Sequence, residues 1–222
     1  MNRKFVAVTV LSVLAQTLFA ASSSIARVDL ILDTQSKLWL TGNSTLHPYS
    51  STATMITVDA EIDPIGSRES AVLSGACADT IHDGKLAVLN VVVGTKSLKS
   101  GKEGLDKRMI EALKGDKYPE INFKLANYEI AASTASDQPS LVKASGGLAI
   151  AGERKDVVLE ANIFCEGGLL RARGSKEILM TDYGVKPPTV MMGLLKTDNK
   201  VVVHFDLLFR LNMDQRIDKG GK

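Results

Sequence analysis

The chain is poor in several things at once, and each shortage removes a class of reading. Aromatic residues make up 5 % of it, histidines number three and cysteines two. With His47, His82 and His204 far apart in sequence and one cysteine at each of two places, no zinc-type ligand spacing exists. No Ser stands in a Gly-x-Ser-x-Gly elbow, and Gly101-Lys102 lacks the further glycines of a phosphate loop. Beyond the first twenty residues no apolar run approaches the ~20 residues of a membrane span. One-signed charge is missing too. The net charge is +2, and removal of Arg3 and Lys4 with the first 26 residues leaves 25 basic and 25 acidic groups. A neutral chain has no electrostatic case for nucleic acid.

The head of the chain explains the apolar stretch that does occur. Asn2-Arg3-Lys4 is a basic start, residues 5–20 are mostly apolar, and small residues follow to Ala26. This is the layout of a secretory signal peptide, expected over residues 1–26 with cleavage near Ser24-Ile25-Ala26. The expected address is periplasmic or secreted. In an oxidising compartment Cys77 and Cys165 are able to form a disulfide; two buried thiols are the alternative.

The remaining chain reads almost entirely as strand. Strands are expected over residues 27–32, 37–41, 52–62, 86–93, 120–130, 142–150, 155–165, 169–180 and 201–211, with a weaker one within 70–81. Residues 86–93, LAVLNVVV, are apolar on both faces and predict a strand covered on both sides. From Ile121-x-Phe123-x-Leu125 to Ala126-x-Tyr128-x-Ile130 the alternation changes phase, which predicts a bulge near Leu125-Ala126. Gly146-Gly147 suggests a bend. Residues 189–195 are too apolar for a solvated loop and are expected to tuck against a core or a cavity mouth. Residues 214–222 form a polar C-terminal tail.

One stretch breaks the strand pattern. From Ser100 the sequence reads SGKEGLDKRMIEALKGDKYPEINFKL. Ser100 and Glu103 suggest a capping box, and Leu105, Met109 and Leu113 recur at helical spacing beside Ile110. Gly115 is placed as the helix stop. A lone helix in an all-β chain lays its apolar stripe on or into the sheet.

The fold class is therefore all-β: a single antiparallel barrel of about eight strands, over residues 27–213, with one short amphipathic helix. Such a barrel encloses either packed side chains or one ligand. Alternation places Ile121 and Phe123, then Val157, Leu159 and Ile163, then Val203, Phe205 and Leu207 on inward faces, with Leu105 and Met109 at the lid. Seven methionines supply adaptable walls. Lys107, Arg108, Arg171 and Arg173 are the cations placed to meet an anionic headgroup, with solvation as the plainer reading. His204 and Asp206 read as a surface pair.

These features resemble a known family. The block from Val93 through Gly94-Thr95-Lys96-Ser97-Leu98, Leu105-Asp106-Lys107-Arg108-Met109 and Lys117-Tyr118-Pro119-Glu120-Ile121-Asn122-Phe123 is similar to the central signature of the YceI-like family. Gly147-Leu148-Ala149-Ile150-Ala151-Gly152-Glu153-Arg154-Lys155 is similar to its next strand pair, and Met180-Thr181-Asp182-Tyr183-Gly184-Val185-Lys186-Pro187-Pro188 to its later loop. Where an Asn-His pair is often seen at the helix start, this chain has Lys102-Glu103-Gly104. The resemblance implies an exported, lipocalin-like barrel that sequesters a long apolar ligand, a polyisoprenoid, quinone-like or fatty-acyl lipid. It implies no catalytic residue, no metal, and no cofactor beyond a bound isoprenoid or other lipid. The expected partner is that lipid, without nucleic acid or a transmembrane span after cleavage, and a homodimer is compatible with it. Two alternatives stay open: a structural or stress-related interaction protein with a filled barrel, and a lipid-acting enzyme with His47 as base.

Overall fold

The structure, a computed structural model, describes residues 27–64, 84–131, 139–190 and 195–212. The expected signal segment 1–26, the weak strand within 70–81, Cys77 and the tail 214–222 lie outside the described residues, as do Met191, Met192 and Leu194 of the apolar segment.

In chain order the elements are β1 (Val28–Leu32), β2 (Lys37–Ser44), β3 (Tyr49–Ala53), β4 (Ile56–Pro64), β5 (Gly84–Gly94), a 3-10 turn (Thr95–Ser97), β6 (Leu98–Lys99), α1 (Glu103–Ala112), β7 (Glu120–Ala131), β8 (Ser140–Ile150), β9 (Glu153–Glu166), β10 (Leu169–Leu179), a 3-10 turn (Met180–Tyr183), β11 (Thr189–Val190) and β12 (Leu195–Asn212). The main sheet runs β1-β4-β5-β7-β8-β9-β10-β12 and closes because β1 also pairs with β12. β1 and β2 share one place beside the long β12, β1 against its C-terminal end and β2 against its middle. β3 and β4 share the next place in the same way. The result is a closed eight-stranded antiparallel barrel with one α-helix among the described residues. Closure leaves no long unpaired edge.

The single strand expected over 52–62 is two strands. Thr54 donates to the Ser97 carbonyl through both its backbone N–H and its Oγ1, each at 3.0 Å, and Ser97 Oγ donates to the Met55 carbonyl. The chain therefore turns around the 3-10 turn between Ala53 and Ile56. The bulge expected near Leu125-Ala126 is present, as a register shift between Leu125 and Asn127. Gly146 sits opposite Leu125, and a Cβ there would lie 2.8 Å from Phe123 Cζ. The glycine lets that ring lie flat on the strand. β8 and β9 are joined by Ala151-Gly152, both at positive φ (51° and 91°), which is the two-residue hairpin turn matched to strand twist.

The doubly apolar β5 is not covered on both faces by the helix. Its register on β4 slips, so that Glu61 faces Val88 while the next residue, Ile62, faces Leu86. Ala87 is the extra residue. The slip carries Leu86 to the same face as Leu89, Val91 and Val93, all of which point into the barrel. The unbroken apolar run is a phase change, and Met109 of α1 packs against the cluster of inward-facing Val93.

Three apolar clusters fill the barrel's ends. Leu30, Ala60, Ile62, Leu170, Leu207 and Phe209 form one. Ile150, Ala151, Tyr183 and Val185, with Leu113 and Met180, form a second. Ala53, Val93 and Leu98, with Met109 and Leu113, form the third. Leu113, the C-cap of α1, belongs to both of the last two, so α1 lies across the end opposite the first.

Candidate ligand-binding cavity

The helix start is built differently from the expected capping box. Lys102 is the N-cap and its side chain makes no capping bond. Instead Asp106 Oδ1 accepts from both the backbone N–H and the Oγ of Ser100, at 2.7 and 2.5 Å. These two bonds hold the Asp106 carboxyl below the usual carboxylate range, the hydroxyl's contribution being the larger. Glu103 makes no bond to Ser100. At the other end Lys114, at φ 52°, takes the left-handed position that Gly115 was expected to take. Gly115 is needed for room: a Cβ would stand 3.0 Å from both Ile110 Cγ2 and Thr95 Cγ2. Thr95 in turn donates its Oγ1 to the Tyr118 carbonyl and its N–H to the Pro119 carbonyl. The Lys-Tyr-Pro turn and the helix end are thus pinned to the barrel through one buried threonine.

With α1 so placed, its stripe faces inward over a cavity of about 650 Å³. This is the size of a small-molecule site, and the barrel is not filled by its own side chains, as the interaction-protein alternative required. Of the residues expected in the wall, Leu105, Met109, Ile121, Phe123, Leu159, Ile163, Val203, Phe205 and Leu207 line it. Val157 does not. It is half-buried, its register partner is Gly146, and the Phe123 ring lying over Gly146 takes the wall position there. The cavity reaches the surface between the start of α1, the segment 44–49 and Pro188, Lys196 and Thr197, where exposed Leu46, His47, Lys102, Gly104, Arg108 and Lys196 are part of its lining. His47 Nδ1 is 3.0 Å from the Pro48 carbonyl, and no carboxylate bonds to its ring among the described residues.

Polar groups in the wall are few. Tyr128 accepts the Leu86 N–H at 2.9 Å. Tyr49 is pushed up to about 12, first by burial and then by the charge of Asp198. Burial also raises Tyr183. Among the described residues four charged groups line the cavity, Lys102, Arg108, Lys176 and Lys196, and no carboxylate does. Lys176, Lys196 and Tyr49 were not singled out in the sequence. The signal for Lys176 was there: it shares parity in β10 with Leu170, Ala172 and Ile178, all of them wall residues.

The other expected headgroup cations are elsewhere. Lys107 is exposed and outside the wall. Arg171 and Arg173 lie on the outer face. Arg171 makes a two-pronged pair with Asp206, both bonds at 2.6 Å, and also pairs with Glu166; Arg173 reaches Asp206 at 3.0 Å. His204 is not the partner of Asp206. It stacks on Trp39, ring centroids 5.1 Å apart, and its Nε2 is 3.0 Å from Thr41 Oγ1. Cys165 is exposed and disulfide-bonded. The chain's other cysteine, Cys77, lies outside the described residues. Among the described residues no helix is long and apolar enough to cross a membrane, and no three His, Cys, Asp or Glu side chains stand together as a metal site.

Comparison with known proteins follows the same lines. The YceI-like domain model matches residues 41–209. No curated protein matches the chain. Among solved structures, BcnA of Burkholderia cenocepacia is similar over 80 % of this chain and 99 % of its own, at 14 % identity and a TM-score of 0.59. A polyisoprenoid-binding domain from Saccharophagus degradans, implicated in plant cell wall breakdown, is similar over 83 % of this chain and 98 % of its own, at 14 % identity and a TM-score of 0.55. At these identities the likeness is one of fold.

Proposed function

The chain belongs to the YceI-like domain family, and on that premise we propose that it is an exported binding protein that holds a long-chain apolar ligand inside its barrel. The ligand class is polyisoprenoid, quinone-like or fatty-acyl lipid. The observation that carries this reading is the cavity of about 650 Å³ whose wall is almost wholly aliphatic and aromatic, covered at one end by α1. The polyisoprenoid-binding neighbour of the same fold supports it. The mechanism is burial, worth roughly 25 cal/mol for each Å² of hydrocarbon taken out of water, set against the cost of ordering the tail. No bond is made or broken. The signal-like head of the sequence and the disulfide at Cys165 support export, since disulfides persist in oxidising compartments.

The test is extraction. Protein purified from cells is extracted with organic solvent and the extract read by mass spectrometry, and the stripped protein is then offered an isoprenoid alcohol. A co-purifying lipid, or saturable uptake of one molecule per chain, is expected. A clean extract with no uptake would remove the reading.

A further inference from the structure

The chain is nearly balanced in charge, with 27 basic and 25 acidic residues. Its cavity is not. Among the described residues every charged group in the wall is a cation, Lys102, Arg108, Lys176 and Lys196. None of the four makes a side-chain hydrogen bond or ion pair among the described residues, although carboxylates elsewhere on the barrel are paired with Arg27, Lys96, Lys143, Arg171, Arg173, Lys200 and Arg210.

Lys176 is the telling member. Lys102, Arg108 and Lys196 are exposed at the mouth, where water and salt screen them. Lys176 is half-buried on the inward face of β10, two residues from Ile178. Its register partner on β12 is Val203, whose own partner on β2 is Leu40, and both are wall residues. The row continues to Ser51 on β3, whose buried Oγ has no hydrogen-bond partner. An ammonium on such an aliphatic wall, with no carboxylate bonded to it among the described residues, is left available to a bound anion.

We infer that the cavity takes an acidic amphiphile, a long hydrocarbon tail bearing a carboxylate or phosphate head, with Lys176 as the cation that holds the head. The exposed cations at the mouth draw the anion in; the half-buried one retains it, because a charge-assisted bond strengthens as water is excluded. This rests on the reading of the cavity as a lipid site and adds the class of headgroup.

The experiment keeps the tail fixed and changes the head. Dissociation constants are measured on the stripped full-length protein for geranylgeranyl phosphate, geranylgeranoic acid and geranylgeraniol. Both acids are expected to bind about tenfold or more tightly than the alcohol. In Lys176→Met, which keeps the length and apolar stem, the preference of the acids over the alcohol is lost. Lys176→Arg restores the preference and controls for folding. A carboxylate preferred over the phosphate, or the reverse, identifies the head within the proposed class. Equal affinities for all three ligands in the unmodified protein would overturn the proposal and leave the lipid site standing. So would a Lys176→Met variant that keeps its preference or weakens all three alike. If none of the three binds, the lipid site itself fails.

Discussion

A Cβ on Gly42 would lie 2.4 Å from the hydroxyl oxygen of Tyr49, its register partner across the β2–β3 pair. The tyrosine ring occupies the space a side chain at 42 would need, and Tyr49 is part of the cavity wall. Gly42→Ala is expected to cost about 1–3 kcal/mol through overpacking. It also pushes Tyr49 toward water. In the native protein the phenol is held at about 12; in the variant it should titrate nearer the ordinary ~10. Spectrophotometric titration of tyrosinate, alongside a melting curve, checks both. A melting curve and a titration unchanged from the native protein would show that the two residues are not in contact.

Acid should weaken the barrel through two carboxylates. The Arg171 guanidinium, through its two-pronged bond, holds Asp206 below its usual range against the opposing effect of burial, and Ser100 does the same for Asp106. Both values are lower folded than unfolded. Their stabilisation is therefore fully present above the unfolded value of ~4 and is lost as pH falls through the folded ones. The melting temperature should be flat near neutrality and drop below about pH 4. Asp206→Asn should melt lower at neutral pH and lose the part of the acid dependence that Asp206 supplies. An acid limb identical in the variant and the native protein would refute the assignment.

Reduction of the disulfide at Cys165 should destabilise the protein by about 2–4 kcal/mol, as closing a loop in the unfolded chain generally does. Melting with and without a thiol reductant measures it. Cys165→Ser should match the reduced protein and show no further response to reductant.

Ala161 lines the cavity from the middle of β9, between Leu159 and Ile163. Ala161→Phe places a ring in space that the ligand would otherwise fill. Uptake of an isoprenoid is expected to fall roughly tenfold or more, in proportion to the tail surface denied burial. The melting temperature of the empty protein should hold or rise, since a void is being filled. Leu207→Ala, by contrast, removes a buried side chain of the first cluster and should cost about 2–5 kcal/mol. Unimpaired uptake in Ala161→Phe would place the tail elsewhere.

Much of the architecture was legible because it depends on nearest neighbours. Alternation over two residues set most strands and their inward faces, as with Leu159, Ile163, Val203 and Phe205. Spacing over four set the helix and its stripe. Even the bulge at Leu125-Ala126 showed as a change of phase within one strand. The equivalent slip at Ala87 did not show, because apolar residues on both sides of it hid the change and suggested a covering layer instead.

What remained out of reach depends on which strands become neighbours. Asp206 meets Arg171 across 35 residues of chain, so the sequence by itself offered Arg171 for a headgroup and His204 for Asp206. Closure of the sheet gave the carboxylate to the arginine and the histidine to Trp39. Val157 and Phe123 have the right parity alike, yet only Phe123 reaches the wall, because a glycine opposite the bulge lets its ring lie there. The same closure, by fixing the barrel's width, left its centre hollow and Lys176 inside with no ion pair among the described residues. A local pattern states which way a side chain points; only the closed barrel decides what stands opposite it, since that is set by register between distant segments and by the radius that eight strands enclose.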